Sequence, residues 1–252
     1  MAKNAANAQR NPEEYMIALV TGASRGIGAA CVRAFCVIGD RVFFVYNSNT
    51  AAAQAVANET GAIPYQADLA DISKAREAIK AGINALGGID VLVNCAGIAQ
   101  IELFTELTDE DWQRMISVNL SAVFATSQEA LREMVKQHSG KIINVGSIWG
   151  ARGAACEAHY SATKSGLRGL TSSLAKEFGP SGITVNLVEP GVIDTDMNGE
   201  LDKETFDYLI DRTPLCRIGK PCEVANAVTF LASEKADFIT GAFIPVDGGF
   251  PA

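Results

Sequence analysis

Short apolar runs alternate with longer amphipathic stretches from one end of the chain to the other. The runs are rich in Val and Ile and mostly lack polar alternation, and they occupy residues 16–22, 41–47, 89–97, 141–147, 183–191 and 243–249. Strands with this pattern are buried on both faces, as they are in parallel sheets. The amphipathic stretches predict helices over residues 27–38, 50–60, 72–86, 109–137, 160–178 and 221–233.

This alternation predicts an α/β fold with a doubly wound parallel sheet of the Rossmann type and right-handed crossovers. Ligands of such sheets bind at the carboxyl ends of the strands. No internal repeat or low-complexity linker divides the sequence, so we expect a single domain over residues 14–252. Residues 1–13 are polar and rich in Asn and Ala, which predicts a flexible N-terminal lead rather than a signal peptide.

The composition narrows the class of partner. Of the 252 residues, 48% are hydrophobic and 20% are charged, which is typical of a globular protein, and the net charge is −8. A nucleic-acid-binding surface needs clustered basic residues, so we expect no nucleic-acid partner. No apolar run is long enough to span a bilayer, so we expect a cytoplasmic protein without a membrane partner.

The cysteines and histidines do not form a metal-binding pattern. The six cysteines contain no CxxC pair, and the two histidines, His138 and His159, lie far apart in the sequence. A zinc site would need closer clustering of such ligands, so no metal is expected. We interpret the cysteines as small thiols, mostly buried, in a reducing compartment.

A glycine-rich turn, TGASRGIG at residues 21–28, lies between the first predicted strand and the first predicted helix. Glycines at this place let the backbone approach a pyrophosphate, and the helix N-terminus supplies N–H donors. The spacing differs from GxGxxG, but its position in an alternating α/β chain favours a dinucleotide site. The predicted contacts from this turn are Gly22, Ser24, Arg25, Gly26, Ile27 and Gly28.

The end of the second strand indicates which dinucleotide is bound. NAD-binding sheets carry an acidic residue there for the ribose hydroxyls. This strand ends in Tyr46, Asn47 and Ser48, with no acid. The guanidinium of Arg25 could pair with a 2′-phosphate, and Asn47 and Ser48 could add hydrogen bonds. We therefore predict NADPH in preference to NADH.

Tyr160 and Lys164 stand four residues apart in a predicted helix and so share one face. A free tyrosine ionises near pH ~10, and a nearby ammonium is expected to lower that pKa. The pair is then a candidate acid/base for moving a proton to or from a carbonyl oxygen. Such pairs are also common on surface helices, so other motifs have to support this interpretation.

Six motifs occur in the same order as in a known family: TGASRGIG, NCAG at 94–97, SVNL at 117–120, GS at 146–147, YSATK at 160–164 and PGVIDT at 190–195. Residues 15–250 resemble the short-chain dehydrogenase/reductase family. The resemblance implies a catalytic set in which Tyr160 is the proton donor, Ser147 holds the carbonyl oxygen, Lys164 orients the nicotinamide ribose and Asn119 supports a proton relay.

The same resemblance extends the list of cofactor contacts. It implies that Asp68, with Leu69, meets the adenine and that Asn94, Ala96 and Gly97 lie beside the adenosine ribose. It implies further that the nicotinamide end is lined by Tyr160, Lys164, Pro190, Gly191, Ile193 and Thr195. Two positions depart from the family pattern: Cys95 stands where a second Asn is usual, and Glu189 precedes Pro-Gly where a small residue is commoner.

Two branches of the family compete for the substrate. The overall pattern is most similar to 3-oxoacyl-[acyl-carrier-protein] reductases. Residues 147–162 resemble instead the branch that acts on modified elongation factor P, an aminopentanone reductase, with Trp149, Cys156 and Glu157 on the substrate side. Glu157 could pair with a substrate amine or be a solvated loop residue. The polar segment after Gly191 is expected to cap the substrate.

An acyl carrier protein is acidic, so its docking would need a local basic patch on this acidic chain. Arg132, Lys136 and Arg168 are candidates for that patch, although solvated helix faces would explain them equally well. The predicted helix 109–137 carries more apolar residues than one face needs, which favours an interface. The resemblance implies a homotetramer.

Two further functions stay open. The first is an NAD(P)-linked alcohol, sugar or steroid dehydrogenase, against which the missing acid after Val45 argues. The second is a dinucleotide-binding protein that has lost catalysis. The presence of Asn119, Ser147, Tyr160 and Lys164 argues against it, because such relatives usually lose a proton-transfer group.

Overall fold

A computed structural model describes residues 15–198 and 203–250 of the chain. The predicted N-terminal lead, residues 1–13, lies outside the described residues. Part of the segment expected to cap the substrate, residues 199–202, also lies outside them.

Seven parallel strands form one sheet in the order β3-β2-β1-β4-β5-β6-β7. Their bounds are β1 Ile17–Thr21, β2 Arg41–Tyr46, β3 Ile63–Gln66, β4 Val91–Asn94, β5 Gly140–Val145, β6 Ile183–Pro190 and β7 Phe243–Val246. The strands with apolar runs, β1 and β4 above all, are buried on both faces. The predicted single-domain, doubly wound fold of the Rossmann type is therefore confirmed.

The chain reverses its direction of winding at β1, which pairs with β2 on one side and with β4 on the other. Leu19 lies beside Phe43 of β2 and beside Leu92 of β4. The loops that follow β1 and β4 therefore diverge to opposite faces and leave a crevice at the carboxyl edge. Ligands of doubly wound sheets bind in that crevice.

Helices cover both faces of the sheet. They are α1 Gly26–Val37, α2 Thr50–Thr60, α3 Ile72–Leu86, α4 Asp109–Ile116, α5 Ala122–Gln137, α6 Trp149–Arg152, α7 Ala158–Phe178, α8 Lys203–Arg212 and α9 Pro221–Ala232. The residues at the helix termini determine where several of these helices begin or end. For example, Thr108 and Asp111 form a reciprocal capping box at the start of α4.

The predicted helix 109–137 is helical throughout but contains an irregularity. A π-helical turn, Ser117–Ser121, separates α4 from α5. Such turns insert an extra residue into an α-helix and often mark functional sites. One strand, β3, was absent from the predicted runs because it is short, contains Pro64 and lies at an exposed edge of the sheet.

Two apolar clusters fill the space between the sheet and its two helical layers. The cluster under α1, α2 and α9 is centred on Phe35 and Phe44, and the one under α3 and α5 on Leu19, Ile79 and Ile142. No helix in the described part of the chain is long and apolar enough to cross a membrane.

The apolar residues that suggested an interface on α4 and α5 are Met115, Ile116, Val118, Leu120, Val123, Phe124, Leu131, Met134 and Val135. Four of these nine serve the protomer's own core. Met115, Val123, Leu131 and Met134 are each at most 5% exposed. These four side chains are therefore not available to an interface, whereas Phe124 is 44% exposed. The homotetramer itself stays a prediction.

Candidate active site

The glycine-rich turn packs directly on the end of β4. Gly22 has φ +69°, and a Cβ atom there would lie 2.5 Å from Cα of Ala96. Thr21 strengthens the junction, since its Oγ accepts the backbone N–H groups of Cys95 and Ala96 at 3.0 and 3.1 Å. The packing of Gly28 against the backbone of Gly22 and Ala23 closes the turn. Only glycine fits at positions 22 and 28.

The rest of the turn supplies a cation and the start of a helix. Arg25 is the N-cap residue of α1, and its side chain is 64% exposed. Gly26 and Ile27 form the first turn of that helix, while Ser24 precedes Arg25 in the loop. Arg25 Nη1 lies 3.2 Å from Oδ2 of Asp196. This ion pair joins two segments that are far apart in the sequence.

The end of β2 offers exposed polar groups but no carboxylate. Asn47 and Ser48 are exposed, and the carbonyl of Asn47 accepts a hydrogen bond from Gln66 Nε2 at 2.8 Å. Tyr46, in contrast, is 8% exposed and packs in the core on the α1 side. Of the three predicted contacts, Asn47 and Ser48 are therefore accessible at the strand end.

Beyond β3, Asp68 is exposed and Leu69 is buried. The carboxylate of Asp68 accepts the backbone N–H of Ala70 at 3.0 Å, which closes the turn into α3. Leu69 and Ala96 line one small recess beside α5. The predicted adenine contacts and the end of β4 are thus brought to the same edge of the sheet.

Asn94 is the centre of a buried hydrogen-bond network below the candidate site. Its Nδ2 donates to Ser127 Oγ at 3.0 Å and to Asn144 Oδ1 at 2.9 Å, while its Oδ1 accepts from Thr126 Oγ at 2.7 Å. Asn144 donates in turn to Thr171 of α7 at 2.9 Å. This buried network ties β4 and β5 to the helices behind them. The side chain of Asn94 is therefore already fully used, and a cofactor would meet its neighbours instead.

Asn119 lies in the π-helical turn and is fully buried. Its Oδ1 accepts the N–H of Ile98 at 2.8 Å, and its Nδ2 donates to the carbonyl of Ile98 at 2.9 Å. A Cβ atom on Gly97 would lie 3.3 Å from Asn119 Oδ1 and 3.5 Å from Lys164 Nζ. Asn119 thus clamps the loop after β4 close to the lysine.

Lys164 is buried to 5% exposure on α7, and its ammonium donates to the carbonyl of Val145 at 3.0 Å. Burial lowers the pKa of Lys164 to about 8. The Nζ atom lies 5.6 Å from the ring centroid of Tyr160. The predicted face-sharing of this pair is therefore present, on the first two turns of the helix.

Tyr160 and Ser147 meet at the carboxyl end of β5. Burial raises the pKa of Tyr160 to about 12, whereas its hydrogen bond to Ser147 acts in the opposite direction and the carboxylate of Glu157 adds to the rise. The expected lowering of this pKa by Lys164 is not found: burial is the largest cause, and Lys164 is not among the groups that shift the pKa. Tyr160 accordingly holds its proton at neutral pH, as a proton donor must.

The segment after β6 closes the other side of the crevice. The carbonyl of Pro190 accepts the N–H of Ile148 at 3.1 Å, and the N–H of Gly191 donates to Val246 at 3.0 Å. Ile193 is buried, and the half-buried Thr195 contacts Gly26 of the glycine turn, whose added Cβ would lie 3.3 Å from Thr195 Cγ2. The predicted nicotinamide-end residues therefore lie opposite the turn.

The short helix α6 and the loop that joins it to α7 carry the residues expected on the substrate side. Glu157, the N-cap residue of α7, is half-buried, and burial raises its pKa. Cys156 has φ +61°, and its carbonyl accepts the N–H of Glu102 at 2.8 Å. Trp149 packs edge-to-face on Phe250, with ring centroids 5.6 Å apart. Of these three residues, Glu157 is the one that influences the pKa of Tyr160 electrostatically.

The suggested basic patch is largely neutralised. Arg132 pairs with Glu129 at 2.7 Å, and Lys136 pairs with Glu133 at 2.8 Å. Arg168 pairs with the buried Glu189 at 2.9 Å, so each side chain neutralises the charge of the other. Arg168 is therefore not part of a free basic surface, whereas Arg132 and Lys136 are paired with glutamates but remain exposed.

Several residues that shape the site were missed from sequence. Thr21, Asn144 and Thr163 position the ends of β1, β5 and α7, and Thr163 lies 3.3 Å from Asn119 Nδ2. For Thr21 and Asn144 the available signal was a polar residue inside an otherwise apolar strand, whereas Thr163 lies in a polar helical stretch and gave no such signal. Among the described residues, no cluster of three or more His, Cys, Asp or Glu side chains is placed to hold a metal.

Comparison with known proteins agrees with this geometry. A family model described as Enoyl-(Acyl carrier protein) reductase matches residues 22–251. A 3-oxoacyl-[acyl-carrier-protein] reductase FabG of Staphylococcus aureus is 42% identical over 237 residues, which are 92% of this chain and 96% of the relative. The chain belongs to the short-chain dehydrogenase/reductase family.

Two solved structures support the same assignment. A short-chain dehydrogenase/reductase from Serratia marcescens has a TM-score of 0.89 at 38% identity, covering 96% of this chain and all of its own. A blue fluorescent protein from a metagenomic library, in complex with NADPH, has a TM-score of 0.87 at 39% identity, covering 94% of this chain and 98% of its own. The protein is thus a member of an oxidoreductase family, and the hypothesis of a purely binding protein loses its support.

Proposed function

We propose that the protein reduces the ketone of a 3-oxoacyl thioester to a hydroxyl, with NADPH as the hydride donor and an acyl carrier protein as the thioester carrier. One observation carries the reaction type: Tyr160 is buried beside Ser147 with its pKa raised to about 12. The 42% identity to a reductase of that name supports the substrate class.

The residues present fit a dinucleotide with a 2′-phosphate. The close approach of Gly22 to Ala96 leaves the turn without side chains where a pyrophosphate would meet the N-terminus of α1. Exposed Arg25 would pair with the 2′-phosphate, and Asn47 and Ser48 would donate or accept hydrogen bonds without the repulsion of a carboxylate.

The proposed chemistry needs one acid and one oxygen-binding hydroxyl. NADPH supplies, when bound, a hydride to the carbonyl carbon. Tyr160 donates its phenolic proton to the carbonyl oxygen, which Ser147 holds by a hydrogen bond, so that hydride and proton together yield the alcohol. Lys164, protonated below a pKa of about 8, stabilises the phenolate that remains.

Asn119 acts in this scheme as a positioning residue. Both ends of its amide bind the main chain of Ile98, so it fixes the adjacent Gly97 against Lys164. It thereby keeps the floor of the crevice free of side chains where the nicotinamide ribose would lie.

The first test follows NADPH oxidation with acetoacetyl-CoA. We expect turnover with NADPH, and a loss of about 100-fold or more in kcat for Tyr160→Phe with NADPH affinity retained. Tyr65→Phe, on edge strand β3, is the matched control and should behave like the wild type. Equal loss in both variants, or faster use of NADH than NADPH, would contradict the proposal. The second result would favour a dehydrogenase of alcohols, sugars or steroids.

The carrier is tested separately, because reduction of a free thioester does not require docking. Lys80, Arg132 and Lys136 line a groove of about 290 Å³ between α3 and α5, although Glu129 and Glu133 share it. We expect Arg132→Glu to raise KM for acetoacetyl-[acyl-carrier-protein] while leaving KM for acetoacetyl-CoA unchanged. An unchanged ratio would remove this groove as the docking site.

Glu157 supports one second candidate, the reduction of an amine-bearing ketone such as the aminopentanone carried by elongation factor P. Its half-buried carboxylate stands close to Tyr160 and has no basic partner among the described residues. A substrate ammonium would satisfy it. Loss of activity in Glu157→Gln towards an aminoketone, with acetoacetyl-CoA reduction retained, would favour this candidate.

A further inference from the structure

The ion pair between Arg25 and Asp196 crosses the mouth of the crevice. Arg25 precedes α1, and Asp196 starts the short 3₁₀ turn Asp196–Asn198 after β6. Their side chains are 64% and 66% exposed, and the charged atoms lie 3.2 Å apart. Asp196 is the only acidic partner of Arg25, and Arg25 the only basic partner of Asp196, within residues 15–198 and 203–250.

Contacts on both sides of the segment around Asp196 hold it near Arg25. Ile193 forms a parallel bridge with Gly219, and the N–H of Asp194 donates to the carbonyl of Gly219 at 2.8 Å. On the other side, Thr195 lies against Gly26 of the glycine turn. The backbone of this segment is therefore held within reach of the turn, and Asp196 is the residue that extends to Arg25.

Arg25 is also the group that our proposed function assigns to the 2′-phosphate of NADPH. One guanidinium cannot give its full set of donors to both anions, and a phosphate of about −1.5 to −2 charges is the stronger partner. We propose that Asp196 is a specificity-determining residue that competes with the 2′-phosphate for Arg25, and so weakens the discrimination between NADPH and NADH. The inference rests on the proposed function, since it presupposes that Arg25 receives the phosphate.

The size of the effect follows from the exposure of the pair. Exposed ion pairs contribute little, so removal of the carboxylate should tighten NADPH binding by about 2- to 5-fold at low salt. The gain should shrink as ionic strength rises. NADH lacks the 2′-phosphate, so its affinity should improve less, and only through the general loss of negative charge near the pyrophosphate.

The test measures dissociation constants for NADPH and NADH by nucleotide fluorescence in the full-length protein. The variants are Asp196→Asn, Arg25→Ala and the double variant, with Asp194→Asn as a control that removes one exposed charge from the same segment. We expect Asp196→Asn, and not Asp194→Asn, to raise the ratio of NADH to NADPH dissociation constants. We also expect Arg25→Ala to abolish that gain.

Two results would overturn the inference: weaker NADPH binding in Asp196→Asn, which would mean that Asp196 orients Arg25, or equal shifts for both nucleotides in Asp196→Asn and Asp194→Asn. Failure of the wild-type protein to prefer NADPH would instead refute the proposed cofactor. The two failures are distinguishable because the second appears before any substitution is made.

Discussion

The ammonium of Lys164 donates a hydrogen bond to the main-chain carbonyl of Val145 at 3.0 Å, at the very end of β5. This contact fixes a buried cation next to the strand that carries Ser147. Burial disfavours the charged form of Lys164 and lowers its pKa to about 8. The charge that the site needs is therefore present at neutral pH but titrates close above it.

We expect kcat/KM for ketone reduction to fall as pH rises through about 8, because the ammonium of Lys164 is lost there. The same shift affects stability with the opposite sign: between pH 8 and the ordinary pKa of 10.5 the unfolded chain binds more protons, so this group makes folding more favourable as pH rises. A pH–rate profile and denaturant melts at pH 7.5 and 9.5 would measure both effects.

Lys176 provides the control for that prediction. It lies on the same helix, α7, but is exposed. Lys176→Met should leave the pH–rate profile unchanged, whereas Lys164→Met should abolish turnover. A wild-type profile that stays flat up to pH 10 would show that the charge on Lys164 is not needed.

The glycine turn makes a quantitative prediction about packing. Gly22 and Gly61 both have positive φ, +69° and +76°, but an added Cβ meets Ala96 Cα at 2.5 Å in the first and nothing within 4 Å in the second. Gly61→Ala should cost about 1 kcal/mol of unfolding free energy, from backbone strain alone. Gly22→Ala should cost about 2–5 kcal/mol and also weaken NADPH binding. Urea denaturation of both variants separates the two causes, and equal costs would contradict the close packing.

The pair formed by the buried Glu189 and the partly exposed Arg168 predicts a pH-dependent loss of stability. Glu189 is 4% exposed, and burial raises its pKa although Arg168 opposes the rise. Arg168→Met should cost about 2–4 kcal/mol near pH 7, because it leaves the carboxylate without its partner. A raised carboxyl pKa favours the folded state at low pH, so the cost should be larger at pH 7.5 than at pH 5.

Lys136→Met is the matched control for Arg168→Met, since Lys136 is exposed and pairs with the partly exposed Glu133. Its effect should be below about 1 kcal/mol at either pH. Comparable losses for the two variants, or a loss for Arg168→Met that does not depend on pH, would argue against a buried pair.

We expect the exposed cysteines to react rapidly with a thiol reagent and the cysteines with a raised pKa to react slowly. Cys216 and Cys222 are exposed, whereas burial raises the pKa of Cys31 well above its ordinary range and that of Cys95 to about 12. Only thiolates react readily, so iodoacetamide at pH 8 should label Cys216 and Cys222 within minutes and leave the other two unlabelled in the folded protein. Mass spectrometry of tryptic peptides measures this, and rapid labelling of Cys95 would contradict its raised pKa.

Much of the fold was predictable because it follows local patterns. The runs that became β1, β2, β4, β5, β6 and β7 are continuous apolar stretches, which few other structures accommodate. Strand β3 was not predicted, because Pro64 and the two exposed end residues interrupt the continuous apolar run by which the other strands were recognised. The π-helical turn was not predicted, because apolar periodicity cannot reveal one extra residue within the 29 residues of the predicted helix 109–137.

The site was predictable in its members but not in its electrostatics. Motif order predicted Ser147, Tyr160 and Lys164, and the structure brings them to one end of β5. The pKa of Tyr160 was not predictable, since it depends on burial that only the folded chain creates. The contact of Arg25 with Asp196, 171 residues away, leaves no local trace in the sequence.

The position of β1 in the sheet has a consequence for biosynthesis. Because β1 pairs with β2 and β4, the chain must complete β2, β3 and α3 before the second edge of β1 can be covered. At about 5–20 residues per second, a ribosome leaves the backbone N–H and C=O groups of that edge unpaired for a period on the order of seconds. Unpaired edges attract other strands. Val91–Asn94 must therefore emerge before β1 can be paired at both edges.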